Sequence, residues 1–167
     1  GMDAAVAGLI GRDDKIVTIS NGKFGERFTE IGERYGKAVP VTADWGTPIS
    51  LDKVEAALED GAKAVAMVHN ETSVGLTNPA KEVGKLAHKH DAIFIVDGIS
   101  SIGGNDFFTD DWNVDIAITG SQKALAVPPG LAIVSVSPGV EQKFLEKSAS
   151  YYADLKAHLK SARKNPT

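Results

Sequence analysis

The feature that most restricts the fold is an alternation. Short, nearly continuous apolar runs are separated by longer stretches with helical spacing. The runs are KIVTIS at Lys15–Ser20, AVPVTA at Ala38–Ala43, AVAMVH at Ala64–His69, AIFIVD at Ala92–Asp97, DIAIT at Asp115–Thr119 and LAIVSVS at Leu131–Ser137. Strands that stay apolar along their length, with no in-out alternation, are covered by helices on both faces. The intervening stretches supply such helices. Phe24–Tyr35 puts Phe24, Phe28, Ile31 and Tyr35 on one stripe and stops at Gly36. Leu51–Glu59 carries Val54 and Leu58, with Ser50 as its N-cap. Pro79–His90 offers Val83, Leu86 and Ala87 and ends in a basic run suited to a helix C-terminus. A final helix is expected over about Val140–Ser161. The pattern predicts an α/β fold of three αβα layers around a mostly parallel sheet. The connection through Pro128-Pro129-Gly130 is too short for a helical crossover, so the last strand is expected to run antiparallel.

Composition narrows the function classes. A chain of 167 residues with 43% hydrophobic content can bury a core as one globular unit over residues 1–167. It has no cysteine, which excludes disulfides, thiolate metal sites and a thiol nucleophile. Its 22 acidic and 18 basic residues are interspersed and give a net charge of −4, so no nucleic-acid or membrane partner is expected. No apolar run approaches the ~18 residues of a membrane span. The first residues lack a basic stretch followed by an apolar one, which makes the cytoplasm the expected compartment. Gly1-Met2 reads as a tag remnant ahead of an initiator Met.

Several motifs fail. No G-x-G-x-x-G follows the first strand and no G-x-S-x-G elbow occurs. Gly32–Lys37 is one residue short of a phosphate loop and lies on a helix end. His88 and His90 fall on different helix faces, which argues against a metal site.

Parallel sheets bind ligands beyond the carboxyl ends of their strands. Here the third run exits into His69-Asn70-Glu71-Thr72-Ser73, the fourth ends on Asp97, and the fifth exits into Gly120-Ser121-Gln122-Lys123. A carboxylate, a hydroxyl pair and a lysine are thus expected on one edge, with Asp97 and Lys123 facing a single pocket lined by Phe24 and Thr72. Singly, each could cap a helix, end a turn or sit on the surface. Together they suit pyridoxal phosphate chemistry. A lysine forms a Schiff base with the cofactor aldehyde, and an aspartate keeps the pyridine nitrogen protonated so that the ring accepts electrons.

The stretch from Val68 to Ser137 resembles the class V aminotransferases, fold-type I enzymes that use pyridoxal 5′-phosphate. Its most specific parts are Ser20-Asn21-Gly22-Lys23-Phe24-Gly25-Glu26-Arg27, Val96-Asp97-Gly98-Ile99-Ser100-Ser101 and Gly120-Ser121-Gln122-Lys123-Ala124-Leu125. The branch it is most similar to is the alanine–glyoxylate and serine–pyruvate aminotransferases. The resemblance implies that Lys123 carries the cofactor and shuttles a proton, that Asp97 partners the pyridinium nitrogen, and that Phe24 and Ile99 cover the two ring faces. It implies Thr72, with Ser73 as second candidate, for the hydroxyl at the phenolic oxygen, and Gln122 for a phosphate contact. It also implies a homodimer acting on a small amino acid and a 2-oxo acid. A cysteine desulfurase, a phosphonate aminotransferase and a non-catalytic truncated remnant are the alternative readings. The family's Ser/Gly/Thr-rich phosphate loop and its small domain with a carboxylate-binding arginine have no counterpart in residues 1–167. A partial large domain is therefore expected, one that holds the cofactor weakly and does not transaminate alone.

Overall fold

A computed structural model describes residues 1–164. The chain orders as α1 (Met2–Leu9), β1 (Lys15–Ser20), α2 (Lys23–Tyr35), β2 (Lys37–Thr42), α3 (Leu51–Glu59), β3 (Ala64–Val68), β4 (Asn70–Glu71), β5 (Leu76–Thr77), α4 (Ala80–Lys89), β6 (Ile93–Asp97), β7 (Ile116–Gly120), β8 (Ala132–Val136) and α5 (Leu155–Lys164). Six strands form one sheet in the order β2-β1-β3-β6-β7-β8. All neighbours pair parallel except β7 and β8, which are antiparallel as the short connection requires. The hairpin β4–β5, not visible in the sequence, stands apart as a two-stranded antiparallel pair.

The four central runs, β1, β3, β6 and β7, form strands because both sides of each are buried, whereas the edge strands β2 and β8 stay partly exposed. Ile16, Ala64, Ala66, Ile93, Ile95, Ile116 and Ile118 pack on one face against α1 and α2, whose Val6, Leu9 and Phe28 are fully covered. Val17, Ile19, Val65, Met67, Phe94 and Val96 pack on the other face against Val54 and Leu58 of α3 and Val83 and Ala87 of α4. Adjacent residues of one strand thus serve different cores, which explains why no alternation is left in the sequence. Helix α2 follows β1 on the first face, while α3 and α4 lie on the second. The chain leaves β1 toward β2 and later returns on its other side as β3, so the order reverses between β1 and β3. Such a reversal opens a crevice at the carboxyl ends.

One expected element is not continuous. Instead of a helix over Val140–Ser161, residues Glu141–Lys143 form a single 3₁₀ turn and α5 starts only at Leu155. Phe144 is buried against α1, and Leu145 N–H donates to the Gly8 carbonyl at 2.8 Å. Ser148 Oγ donates to the Ala7 carbonyl at 3.2 Å, and Ser150 and Asp154 side chains accept from Ala153 and Ala157 N–H. These serine side chains compete with helical hydrogen bonds before α5, and Asp154 caps its first turn. No helix among the described residues is long and apolar enough to cross a membrane.

The α4 layer sits very close to the loop before β7. A Cβ on Gly84 would lie 1.8 Å from the Trp112 carbonyl oxygen. Alanine in an exposed helix interior normally gains about 1 kcal/mol over glycine. Here the backbone clash outweighs that gain. Gly84→Ala is expected to destabilise by about 1–3 kcal/mol, read as a lower urea midpoint; a stabilised variant would contradict this packing.

Candidate functional site

Three parallel strands, β1, β3 and β6, end level with one another, and β7 runs two residues further to Gly120. Val68 of β3, Asp97 of β6 and Ile118 of β7 share one register line, and β1 ends alongside them. Beyond these ends lies a cavity of about 190 Å³ lined by Phe24, Arg27, Val68, Asn70, Thr72, Asp97, Ile99, Ser100, Gln122 and Lys123. All six residues singled out in the sequence (Phe24, Thr72, Asp97, Ile99, Gln122 and Lys123) border it. Ser73, the second candidate for the hydroxyl role, is not in the lining. Its Oγ is turned away to donate to Glu71 Oε1 at 2.7 Å.

Asp97 is the buried centre of this edge, with 4% of its surface exposed. Its Oδ1 accepts from Ile99 N–H at 2.8 Å, a tight turn that also aims Ile99 along the cavity. Burial pushes its pKa up to about 6, against the lowering effect of the Ile99 N–H and the nearby Arg27 guanidinium; the Glu71 charge adds to the rise. A carboxylate buried with one hydrogen-bond donor and facing a cavity is unstable unless a cationic partner meets it there.

The flanking groups are fixed by their loops. Thr72 Oγ1 and Ser100 Oγ are 2.6 Å apart and hydrogen-bond across the cavity rim. The loop bearing Lys123 is anchored by buried Ser121, whose Oγ donates to the Pro128 carbonyl at 2.7 Å and accepts from Leu131 N–H at 3.3 Å. Within it, Ala126 N–H donates to the Lys123 carbonyl at 2.9 Å and Ala126 takes a φ of 56°, a left-handed conformation uncommon for a residue with a side chain. Phe24 occupies the second position of α2, and the Arg27 guanidinium carbon lies 4.9 Å from its ring centroid. Arg27, Asn70 and Ser100 were not foreseen as lining residues. Arg27 could have been found from its spacing of three from Phe24, which puts both on one helix face.

Comparison with known proteins decides the family. The family model for aminotransferase class-V matches residues 2–167. The chain belongs to the class V aminotransferases. It is 43% identical over 164 residues to an uncharacterized aminotransferase of Methanocaldococcus jannaschii, covering 95% of this chain and 43% of that protein. It is 37% identical over 166 residues to serine–glyoxylate aminotransferase of Arabidopsis thaliana, covering 95% and 41%. The solved structure of ureidoglycine–glyoxylate aminotransferase from Bacillus subtilis superposes with a TM-score of 0.93 at 34% identity, over 99% of this chain and 44% of that one. The chain thus spans less than half the length of these class V relatives, and its three-layer fold matches that portion.

The Asp97 environment makes a stability prediction with a definite sign. Below about pH 4 the carboxyl is protonated whether folded or unfolded, and burial carries no charge penalty. As pH rises through the unfolded and then the folded pKa, the unfolded chain ionises first and stability falls. Above about pH 6 the loss is on the order of 3 kcal/mol. Asn keeps the acceptor for Ile99 N–H and carries no charge. Asp97→Asn is therefore expected to raise the unfolding free energy of the free chain at about pH 7.5 but not at about pH 4. Urea titrations at the two pH values decide it, and equal or lower stability of the variant at the higher pH would refute the charge argument.

Proposed function

We propose that this chain forms the cofactor-binding part of a pyridoxal 5′-phosphate-dependent aminotransferase that moves an amino group between a small amino acid and a 2-oxo acid. The observation that carries the reading is the meeting of buried Asp97 and exposed Lys123 on one cavity that Phe24 and Ile99 also border. These residues fit the cofactor. A protonated pyridine nitrogen is the cationic partner that the Asp97 carboxylate calls for, and it would hold Asp97 ionised. Phe24 and Ile99 give apolar cover to a ring, and the Thr72 hydroxyl suits its phenolic oxygen. Gln122 takes a phosphate oxygen as a neutral donor. Bound there, the cofactor supplies an aldehyde and an electron sink.

The chain's own residues supply the rest. The Lys123 amine would hold the aldehyde carbon, and as a free amine it would supply the base that moves a proton at the substrate Cα. Asp97 would keep the ring nitrogen protonated. The glyoxylate aminotransferases among the relatives support a small amino acid and a 2-oxo acid as substrates, and the family resemblance supports a homodimer as the working unit. Residues 1–167 are, in this reading, part of the large domain.

The test mixes the chain with pyridoxal 5′-phosphate, reduces the mixture with borohydride and maps the label by peptide mass spectrometry. The label is expected on Lys123 and is lost in Lys123→Ala. A label spread evenly over the surface lysines, or indifferent to Lys123→Ala, would overturn the reading. In the same assay Asp97→Asn is expected to weaken cofactor retention by on the order of a hundredfold, because a buried ion pair loses its anion.

A further inference from the structure

Behind the cavity wall, a carboxylate that does not line the cavity spans the crevice between β1 and β3. Glu71 has no solvent exposure. Its Oε2 accepts from Phe24 N–H at 3.1 Å and from Gly25 N–H at 2.9 Å. Its Oε1 accepts from the Ser73 hydroxyl at 2.7 Å and from Ser73 N–H at 3.3 Å. Ser73 Oγ in turn accepts from Lys23 N–H at 3.0 Å. The first three amides of α2, which lack partners within the helix, are thus all met by one distant loop.

A simpler cap was open to the sequence. Ser, Thr, Asp or Asn at position 22 would satisfy the same amides from next door, as Ser50 does for Lys53 at the start of α3. Position 22 is instead glycine, and a Cβ there would lie 2.4 Å from Glu71 Cγ and 2.7 Å from Ser73 Oγ. The missing side chain makes room for the remote carboxylate. Burying a carboxylate costs more than a serine cap does, so this arrangement gives something a local cap could not. The added result is a link between two separate parts of the cavity wall. Phe24 donates one of the amides, and Thr72 is joined to Glu71 by the next peptide bond. With its first amides already engaged, α2 also has none left in its first turn for an anionic ligand.

We propose that Glu71 is a positioning residue: its carboxylate locks the start of α2 to the β4–β5 turn and so fixes the Phe24 ring, which covers one face of the cofactor ring, relative to the Thr72 hydroxyl at that ring's edge. This rests on the reading that the cavity takes pyridoxal 5′-phosphate. Glu71→Gln keeps the size of the side chain but replaces one acceptor oxygen with an NH₂ that cannot accept from the amides.

The experiment compares the wild type, Glu71→Gln, Ser73→Ala and Lys123→Ala. Amide hydrogen exchange at Phe24 and Gly25 is followed first, without any ligand. Pyridoxal 5′-phosphate is then titrated in, with the visible absorbance, its pH dependence and its induced circular dichroism recorded. Protected Phe24 and Gly25 amides are expected in the wild type and faster exchange in Glu71→Gln, with strand amides unchanged. Glu71→Gln is also expected to bind the cofactor on the order of tenfold more weakly, the equivalent of ~1.4 kcal/mol, with a reduced dichroic signal and a shifted pH profile. A purely structural role would lower stability and leave the dichroism and pH profile of the bound fraction unchanged. Ser73→Ala removes only the outer bond and is expected to give the same changes at smaller size; it serves as the test if Glu71→Gln does not fold. Released amides with an unaltered cofactor signature would overturn the inference and leave the aminotransferase reading standing. A wild type with no Lys123-dependent signal would overturn that reading, and this inference with it.

Discussion

Burial of the sheet on both faces is the constraint on which the rest depends. The interiors of β1, β3, β6 and β7 are almost wholly apolar, with Thr18 of β1 paired to the Thr29 hydroxyl of α2, so polar chemistry gathers at their ends. The parallel register then brings those ends to one edge, with Val68, Asp97 and Ile118 in line and β7 continuing two residues beyond. The residues that follow (Phe24, Thr72, Ile99, Lys123) have only one edge to occupy, and the reversal of strand order between β1 and β3 gives that edge a crevice. The site is a consequence of layering before it is a consequence of any particular side chain.

Charge placement at that edge runs against stability. Asp97 is buried and held by one N–H with its proton affinity raised, and Glu71 is buried nearby with its own charge. The Glu71 charge adds to the rise at Asp97 and the exposed Arg27 above Phe24 works against it by more, so it is burial that decides the outcome. An apolar wall would hold the sheet together better. Groups that cost stability where ligands bind are the usual mark of a site shaped for chemistry. The two carboxylates differ in how they are satisfied: Glu71 is surrounded by N–H and O–H donors, whereas Asp97 has one donor and a cavity. That difference separates a group that orders the wall from one prepared to meet a cationic ligand.

Much of this was legible in the residues. Uninterrupted runs such as AIFIVD read as strands covered twice, and all six runs appear within about a residue of their expected bounds; both-sided burial accounts for the composition of the four central ones. The antiparallel β8 followed from a connection too short to cross over. The stretch after Val140 was misread because its apolar spacing suits a helix. The hydrogen bonds of Ser148 and Leu145 to the end of α1 that break the helix involve partners about 140 residues away in sequence.

The sequence by itself determined the layers, the strand ends and the identity of the groups presented there, since these follow from local periodicity and from where each apolar run stops. Tertiary structure decided which of those groups share a cavity and which stand behind it. Thr72 and Ser73 are equivalent as neighbouring hydroxyls on a line of letters. In the folded chain one faces Ser100 at the cavity rim and the other faces Glu71. Glu71 itself reads as an ordinary charged turn residue, and nothing nearby in the chain marks it. Its partners are amides 46 and 47 positions earlier, and a backbone N–H has no signature in the sequence. Its burial and role exist only because β1 and β3 lie side by side while the chain between them goes elsewhere.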